Sequence, residues 1–201
     1  MDVSSSVDDA EDRLQRQGLA AALTDPDVVA AFLASGDPVA LAVFEWSGRF
    51  AQVDILPFAA MTSAADLRRA AVIIAQSPRS RTDMPTAAGY ALGYAATLLA
   101  RGPACATRTV DLAGDGVNNE GFGPTEAYAA FDFSGVTVNG LMIDGGDHVA
   151  SGSLLAFYQT EVLHGPGAFL EVADGFDDYA AAMRRKLIRE LQVLIVGNAV
   201  Q

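Results

Sequence analysis

Apolar positions along the chain follow two alternating periods, which predict helices and strands in turn. Leucines recur at helical spacing from residue 7 to residue 23, behind Asp8, Asp9 and Glu11, and acidic residues in a first turn complement the helix dipole. The runs "VALAVFEW" and "VTVNGLMI" are instead continuously apolar and rich in β-branched residues, which predicts buried strands. Alternation of the two patterns indicates an α/β fold with a Rossmann-like, open, mostly parallel sheet and helices on both faces.

The same patterns locate the individual elements. Gly89 and Gly93 lie one turn apart in a predicted helix, and each glycine costs about 1 kcal/mol there relative to alanine, so we expect that face to pack closely against the sheet. We predict helices at 7–23, 25–35, 63–76, 84–100, 124–131, 153–162 and 175–196, and strands at 39–46, 49–58, 107–114, 136–143 and 168–173.

Composition limits the domain number and the classes of partner. The 201 residues are 51% hydrophobic, which suits one domain spanning residues 1–201. A net charge of -12 argues against nucleic acids and anionic membrane surfaces, because both are bound mainly through Lys and Arg. No apolar run reaches the roughly 20 residues of a spanning helix. The single cysteine, Cys105, cannot form an internal disulfide, and we expect it to be buried.

Three oxygen-rich loops are predicted at the carboxyl ends of strands, where ligands bind in open α/β sheets. Asp2, Ser4 and Ser6 occupy alternate positions of the first loop, which places their oxygens on one side of an extended chain. Thr82 stands just before a predicted helix, and Asp115 closes a predicted strand. Hard divalent cations take oxygen ligands of this kind in near-octahedral array.

These residues resemble the metal-ion-dependent adhesion site of the von Willebrand factor type A domain. Longer stretches, among them "DLAGDGVNNEG" and "GPGAFLEVADGFDDYAAAMRRKL", are similar to a bacterial branch of that superfamily whose function is uncharacterised. The resemblance implies Mg²⁺, with Mn²⁺ or Ca²⁺ as alternatives, bound by the hydroxyls of Ser4, Ser6 and Thr82 and by Asp2 and Asp115, directly or through water. It also implies a non-enzymatic protein-interaction domain, in which a partner's acidic side chain completes the coordination.

The chain departs from the family pattern at three points. Ser5 stands where glycine is usual, so a positive φ there would carry a steric cost. Gly114 stands where a Thr or Ser is common, which removes a supporting hydroxyl. Only Met1 precedes Asp2, so we expect the first, central strand to be lacking and the chain to be truncated at its N-terminus. Relatives tend to be exported, which implies a periplasmic or secreted full-length protein.

Two other functions stay open at this point. A Mg²⁺-dependent hydrolase or phosphotransferase would use Asp2 as its nucleophile, although such enzymes usually carry a second acid where this chain has Ser4. A degenerate scaffold of the same fold would bind no metal.

Overall fold

Two separate sheets organise the computed structural model, which describes residues 1–34, 36–146 and 148–198. In the first sheet, β1 (Val39–Trp46) pairs antiparallel with β2 (Gln52–Met61). In the second, three parallel strands lie in the order β3-β4-β5. Their bounds are β3 (Arg108–Gly114), β4 (Val136–Ile143) and β5 (Leu170–Ala173).

The N-terminal residues lie between the carboxyl ends of β1 and β3. Asp2 forms a parallel bridge to Trp46, with hydrogen bonds of 2.9 Å from Val3 N to Trp46 O and from Trp46 N to Met1 O. On its other side, the Asp2 carboxylate adjoins Gly114 at the end of β3. Among the described residues no strand pairs with both β1 and β3, in agreement with the prediction that the central strand is lacking.

The first two helices begin at the aspartates that the sequence offers as caps. Asp8 caps the first helix and Glu11 reaches back to the Asp8 N–H, so together they satisfy donors that the helix itself leaves free. Asp25 and Pro26 start the second helix in the same way. The bounds are α1 (Asp9–Thr24), α2 (Pro26–Leu33), α3 (Ala64–Gln76), α4 (Ala88–Arg101), α5 (Pro124–Ala130), α6 (His148–Phe157) with a π-helical turn (Tyr158–Val162), and α7 (Tyr179–Asn198).

Two hydrophobic cores cover the two faces of the sheets, as an α/β fold with helices on both faces requires. On β4, Leu141 and Ile143 join the core formed with α1, α2, α3 and α7. Val138 and Met142 join the opposite core, formed with α4, α5 and α6. No helix in the described part of the chain is both long and apolar enough to cross a bilayer.

Two expectations from the sequence are wrong in detail. The glycine face of α4 does not pack against a sheet: a Cβ on Gly89 would overlap the carbonyl oxygen of Phe122, and one on Gly93 would lie 2.8 Å from the Phe131 ring. The loop before α5, together with Phe131 directly after α5, therefore takes the place expected for a strand. Cys105 is exposed, because it lies in the irregular segment before β3.

Candidate metal site

Four of the predicted side chains meet at the carboxyl ends of β1 and β3. Ser4 N donates to Asp2 Oδ1 at 2.8 Å, which closes a tight turn and holds the carboxylate in place. The hydroxyl oxygens of Ser4 and Ser6 lie 3.2 Å apart, and Ser6 Oγ donates to Asp115 Oδ1 at 2.8 Å. The alternate spacing of the first loop thus brings its side chains together with Asp115, a residue more than a hundred positions away.

Arg79 fixes the backbone of this loop. Its Nη2 donates to the carbonyl oxygens of Val3 at 3.1 Å, Ser4 at 3.0 Å and Val7 at 2.7 Å. The Arg79 side chain is 8% exposed, so these hydrogen bonds are shielded from water. The arginine binds the loop through its carbonyls and leaves the serine hydroxyls available on the loop.

Arg79 is itself carried by a segment tied to the buried interior. Glu45 on β1 accepts a hydrogen bond from Ser80 N at 2.8 Å and forms an ion pair with Arg16 on α1. Arg16 also donates to Ser77 Oγ. Residues 77–80 are therefore anchored on both sides of Arg79.

Asp2 is a buried carboxylate with one oxygen unpartnered. The side chain is 0% exposed, and Oδ2 has no hydrogen-bond partner among the described residues. Burial, with the nearby charge of Asp115 adding to it, raises the pKa of Asp2 to about 7. Burial also raises the pKa of Asp115. Two carboxylates in a desolvated site repel each other, and a cation between them would remove this cost.

Gly114 lets β3 approach this carboxylate closely. A Cβ at position 114 would lie 2.8 Å from Asp2 Oδ2 and 3.3 Å from Tyr158 Oη. The Tyr158 hydroxyl donates to Gly114 O at 3.2 Å from the π-helical turn after α6. The sequence suggested that Gly114 costs the site a supporting hydroxyl, but the buried Tyr158 brings another hydroxyl to the same place.

Ser5 does not have the positive φ that would carry a steric cost. Within the described ranges, every residue with positive φ is a glycine, so Ser5 adopts an ordinary backbone conformation. Ser5 N donates to Met84 O at 2.8 Å, which joins the first loop to the segment before α4.

The structure does not bring Thr82 into this cluster. Thr82 is exposed and lines a shallow depression together with Ser5 and Asp8. Among the contacts of the described residues, none joins Thr82 to Ser6 or Asp115. The helix predicted from residue 84 in fact begins at Ala88, so the residue just before it is a different one.

Thr86 lies closer to the site, and the sequence analysis missed it. Thr86 is 4% exposed, and its Oγ1 lies 3.4 Å from where a Cβ of Gly116 would stand, directly after Asp115. Thr86 N donates to Asn119 Oδ1 at 2.8 Å, and Thr86 O accepts from Asn119 N at 2.9 Å and from Glu120 N at 3.1 Å. The loop that carries Asp115 therefore also holds Thr86. A threonine one residue before the N-cap of a glycine-containing helix is the signal that could have identified it.

The available groups fit a hard cation that takes hydroxyl as well as carboxylate ligands. In the part of the chain that the structure describes, no three Asp, Glu, His or Cys side chains are grouped so that they could hold a metal ion by themselves. The unpartnered Asp2 Oδ2, the hydroxyls of Ser4 and Ser6, and Asp115 offer oxygen ligands alone, as Mg²⁺, Mn²⁺ and Ca²⁺ prefer. Their role as ligands stays a prediction.

Comparison with known families decides the classification. The model of a family described as "Protein of unknown function (DUF1194)" matches residues 1–195. The chain belongs to the DUF1194 family. No curated protein matches it.

Solved structures similar to this DUF1194 protein have the von Willebrand factor type A fold. Proximal thread matrix protein 1 from the mussel byssus aligns at a TM-score of 0.67 and 20% identity, over 96% of this chain and 46% of that one. A further structure of that protein, titled as having a zinc-occupied MIDAS motif, aligns at 0.64 and 19% identity. The von Willebrand factor type A protein from Catenulispora acidiphila aligns at 0.58 and 16% identity, over 94% of this chain and 41% of that one.

A third similar protein has nearly the same length as the DUF1194 chain. An aerotolerance-related membrane protein from Bacteroides fragilis aligns at a TM-score of 0.59 and 20% identity, over 94% of this chain and 96% of that one. By contrast, the chain spans less than half the length of the mussel and Catenulispora proteins. Similarity at these identities shows a shared fold.

Two cationic residues that could hold a phosphate are already engaged in ion pairs or hydrogen bonds. Lys186 is the sole lysine of the sequence, and it is buried in ion pairs with Asp111 and Glu190. Arg79 uses its guanidinium on backbone carbonyls. Neither is free to hold a phosphate against Asp2.

Proposed function

We propose that this DUF1194 protein is a single-domain, non-enzymatic protein-interaction module that binds a divalent cation, Mg²⁺ first and Mn²⁺ or Ca²⁺ as alternatives. The ligands are Asp2, Ser4, Ser6, Asp115 and, in place of Thr82, Thr86. The observation that carries the proposal is the buried Asp2 Oδ2, which has no hydrogen-bond partner among the described residues. A second carboxylate, that of Asp115, lies close enough to raise the pKa of Asp2 further. An ionised carboxylate in this position is stabilised by a paired cation, and without a cation it takes up a proton.

The charge of the ligand set decides what the site can do. Two carboxylates balance a divalent cation, and the hydroxyls add no charge, so the bound ion retains the capacity to take one more anionic oxygen. An acidic side chain of a partner protein supplies that oxygen. The cation thereby makes a strongly acidic chain, with net charge -12, attractive to a carboxylate.

The two threonines give a direct test of the ligand set. We expect Thr86→Val to weaken Mg²⁺ binding about tenfold or more in titration calorimetry, because it removes an oxygen near Asp115 while keeping the side-chain shape. Thr82→Val is the matched control, and it should bind as the wild type does because Thr82 is exposed and outside the cluster. If Thr82→Val is the weaker binder, the threonine assignment is wrong. If the wild type itself binds no divalent cation, the proposed function is wrong.

We also propose an exported location for the protein. Two of the structures that share its fold are titled as a matrix protein of the mussel byssus and as a membrane protein of Bacteroides fragilis. Fractionation of cells that produce the native gene product tests this, and recovery of the protein only in the cytoplasm would contradict it.

A further inference from the structure

Four aromatic rings form a continuous row at the same edge of the molecule as the metal loops. Phe50, in the turn between β1 and β2, contacts Tyr90 edge to face at 6.0 Å between centroids. Tyr90 stacks on Phe122 at 4.1 Å, and Phe122 lies 6.5 Å from Phe131. We call Phe50, Tyr90, Phe122 and Phe131 the aromatic row. Phe50, at its end, is 92% exposed.

The aromatic row is attached to the loops of the candidate metal site. Ser47 O, at the end of β1, accepts a hydrogen bond from Ala87 N, the residue after Thr86. Arg49 N donates to Glu120 Oε2 at 3.0 Å, and Glu120 N donates to Thr86 O at 3.1 Å. The turn that carries Phe50 is therefore fixed to two segments of the candidate metal site. One contains Thr86, and the other is the loop that follows Asp115.

Folding does not explain the exposure of Phe50. A phenylalanine that is 92% exposed contributes little to the core, and the turn that carries it is already held by polar contacts. Clustered exposed apolar side chains with a polar surround mark interaction sites, and aromatic residues are frequent anchors of protein interfaces. Arg49, which is about half exposed, and Glu120 provide such a polar surround.

We propose that the aromatic row binds an apolar side chain of the same partner loop whose carboxylate reaches the cation. This proposal rests on the metal-dependent interaction proposed above. The occupant is a protein loop with an acidic residue and a neighbouring large apolar residue. Charge favours this occupant over a lipid surface, because a chain of net charge -12 is repelled by anionic headgroups, whereas the cation attracts a single carboxylate locally.

The test selects a phage-displayed library of disulfide-constrained peptide loops against the wild-type protein in Mg²⁺. We expect enriched loops to pair Asp or Glu with a nearby large apolar residue and to release the protein in chelator. Phe50→Ser should weaken binding of the enriched loops about tenfold or more, the loss expected for an interface anchor. It should leave Mg²⁺ affinity and thermal stability unchanged because Phe50 is 92% exposed.

Val72→Ser is the matched control, because Val72 is 53% exposed on α3, a helix of the opposite face. Enriched loops that lack the apolar residue, equal binding by Phe50→Ser, or no Mg²⁺-dependent loop at all would overturn the proposal for the aromatic row. Failure of the wild type to bind Mg²⁺ in calorimetry would instead overturn the underlying metal site. Sedimentation with neutral phosphatidylcholine vesicles that depends on Phe50 would assign the row to lipid and also overturn the proposal.

Discussion

Asp2 is the residue whose protonation couples the site to pH. Its pKa of about 7 lies well above the value near 3.9 of an aspartate in an unfolded chain. Between these values the folded, metal-free protein holds a proton that the unfolded chain has released. The free energy of unfolding of the metal-free protein therefore falls as pH rises from about 4 to 7.

With Asp2 as a ligand, as we propose, Mg²⁺ displaces this proton and its affinity should depend on pH. We expect Mg²⁺ affinity to rise by up to roughly tenfold per pH unit below pH 7 and to level off above it, because the metal binds only the ionised carboxylate. Calorimetric titrations on both sides of pH 7, in buffers of different ionisation enthalpy, measure the affinity and the released proton. A flat affinity profile with no proton release would contradict the burial of Asp2.

Arg79 is predicted to determine metal affinity without touching the metal. Arg79→Ala removes the hydrogen bonds to the carbonyls of Val3, Ser4 and Val7, so the loop loses its fixed conformation. We expect Mg²⁺ affinity to fall about 10- to 100-fold, the range found when residues supporting metal ligands are removed. Added guanidinium should restore part of the affinity, which a general loss of stability would not allow. Arg81→Ala, an exposed neighbour, is the control and should bind as the wild type does.

At the level of elements, periodicity predicted the helices and strands but could not say what packs against them. The spacing of Gly89 and Gly93 indicated a close approach, yet the partner is the loop before α5 rather than a strand. The start of α4 was placed four residues too early, and this put Thr82 rather than Thr86 next to the predicted start of the helix. The position of Thr86 depends on Asn119, a contact between distant loops that local spacing does not report.

Gly89 in α4 should be sensitive to the smallest substitution. A Cβ there would overlap Phe122 O and lie 2.5 Å from Gly123 O, and these backbone atoms cannot rotate away. Gly89→Ala should therefore lower the free energy of unfolding by about 1–3 kcal/mol and weaken Mg²⁺ binding, because the displaced loop also holds Thr86.

Gly152 in α6 is the matched control for this substitution. Among the described residues, no atom beyond its chain neighbours and the adjacent backbone of its own helix lies within 4 Å of a Cβ placed there, so Gly152→Ala should stabilise the helix by up to about 1 kcal/mol. Thermal and denaturant unfolding of both variants provide the comparison. Similar effects of the two substitutions would contradict the close contact between α4 and the loop.

For the whole molecule, the order of motifs along the chain was enough to predict the fold class. The D-x-S-x-S loop and the acidic end of β3 also indicated four side chains that meet in the structure. What the sequence could not provide is the way distant segments converge on the site. Arg79, Tyr158 and Thr86 come from three different loops or turns, and each is recognised only by its contacts.

We propose that Asp2, Ser4, Ser6, Thr86 and Asp115 surround one divalent cation. The most direct measurement is an anomalous difference map from crystals of the protein grown in Mn²⁺. We expect one strong peak at the carboxyl ends of β1 and β3, about 2 Å from the hydroxyl oxygens of Ser4 and Ser6, with Asp2 and Asp115 bound directly or through water. A map with no peak there, or with a peak coordinated by Thr82 and Asp8 instead, would contradict it.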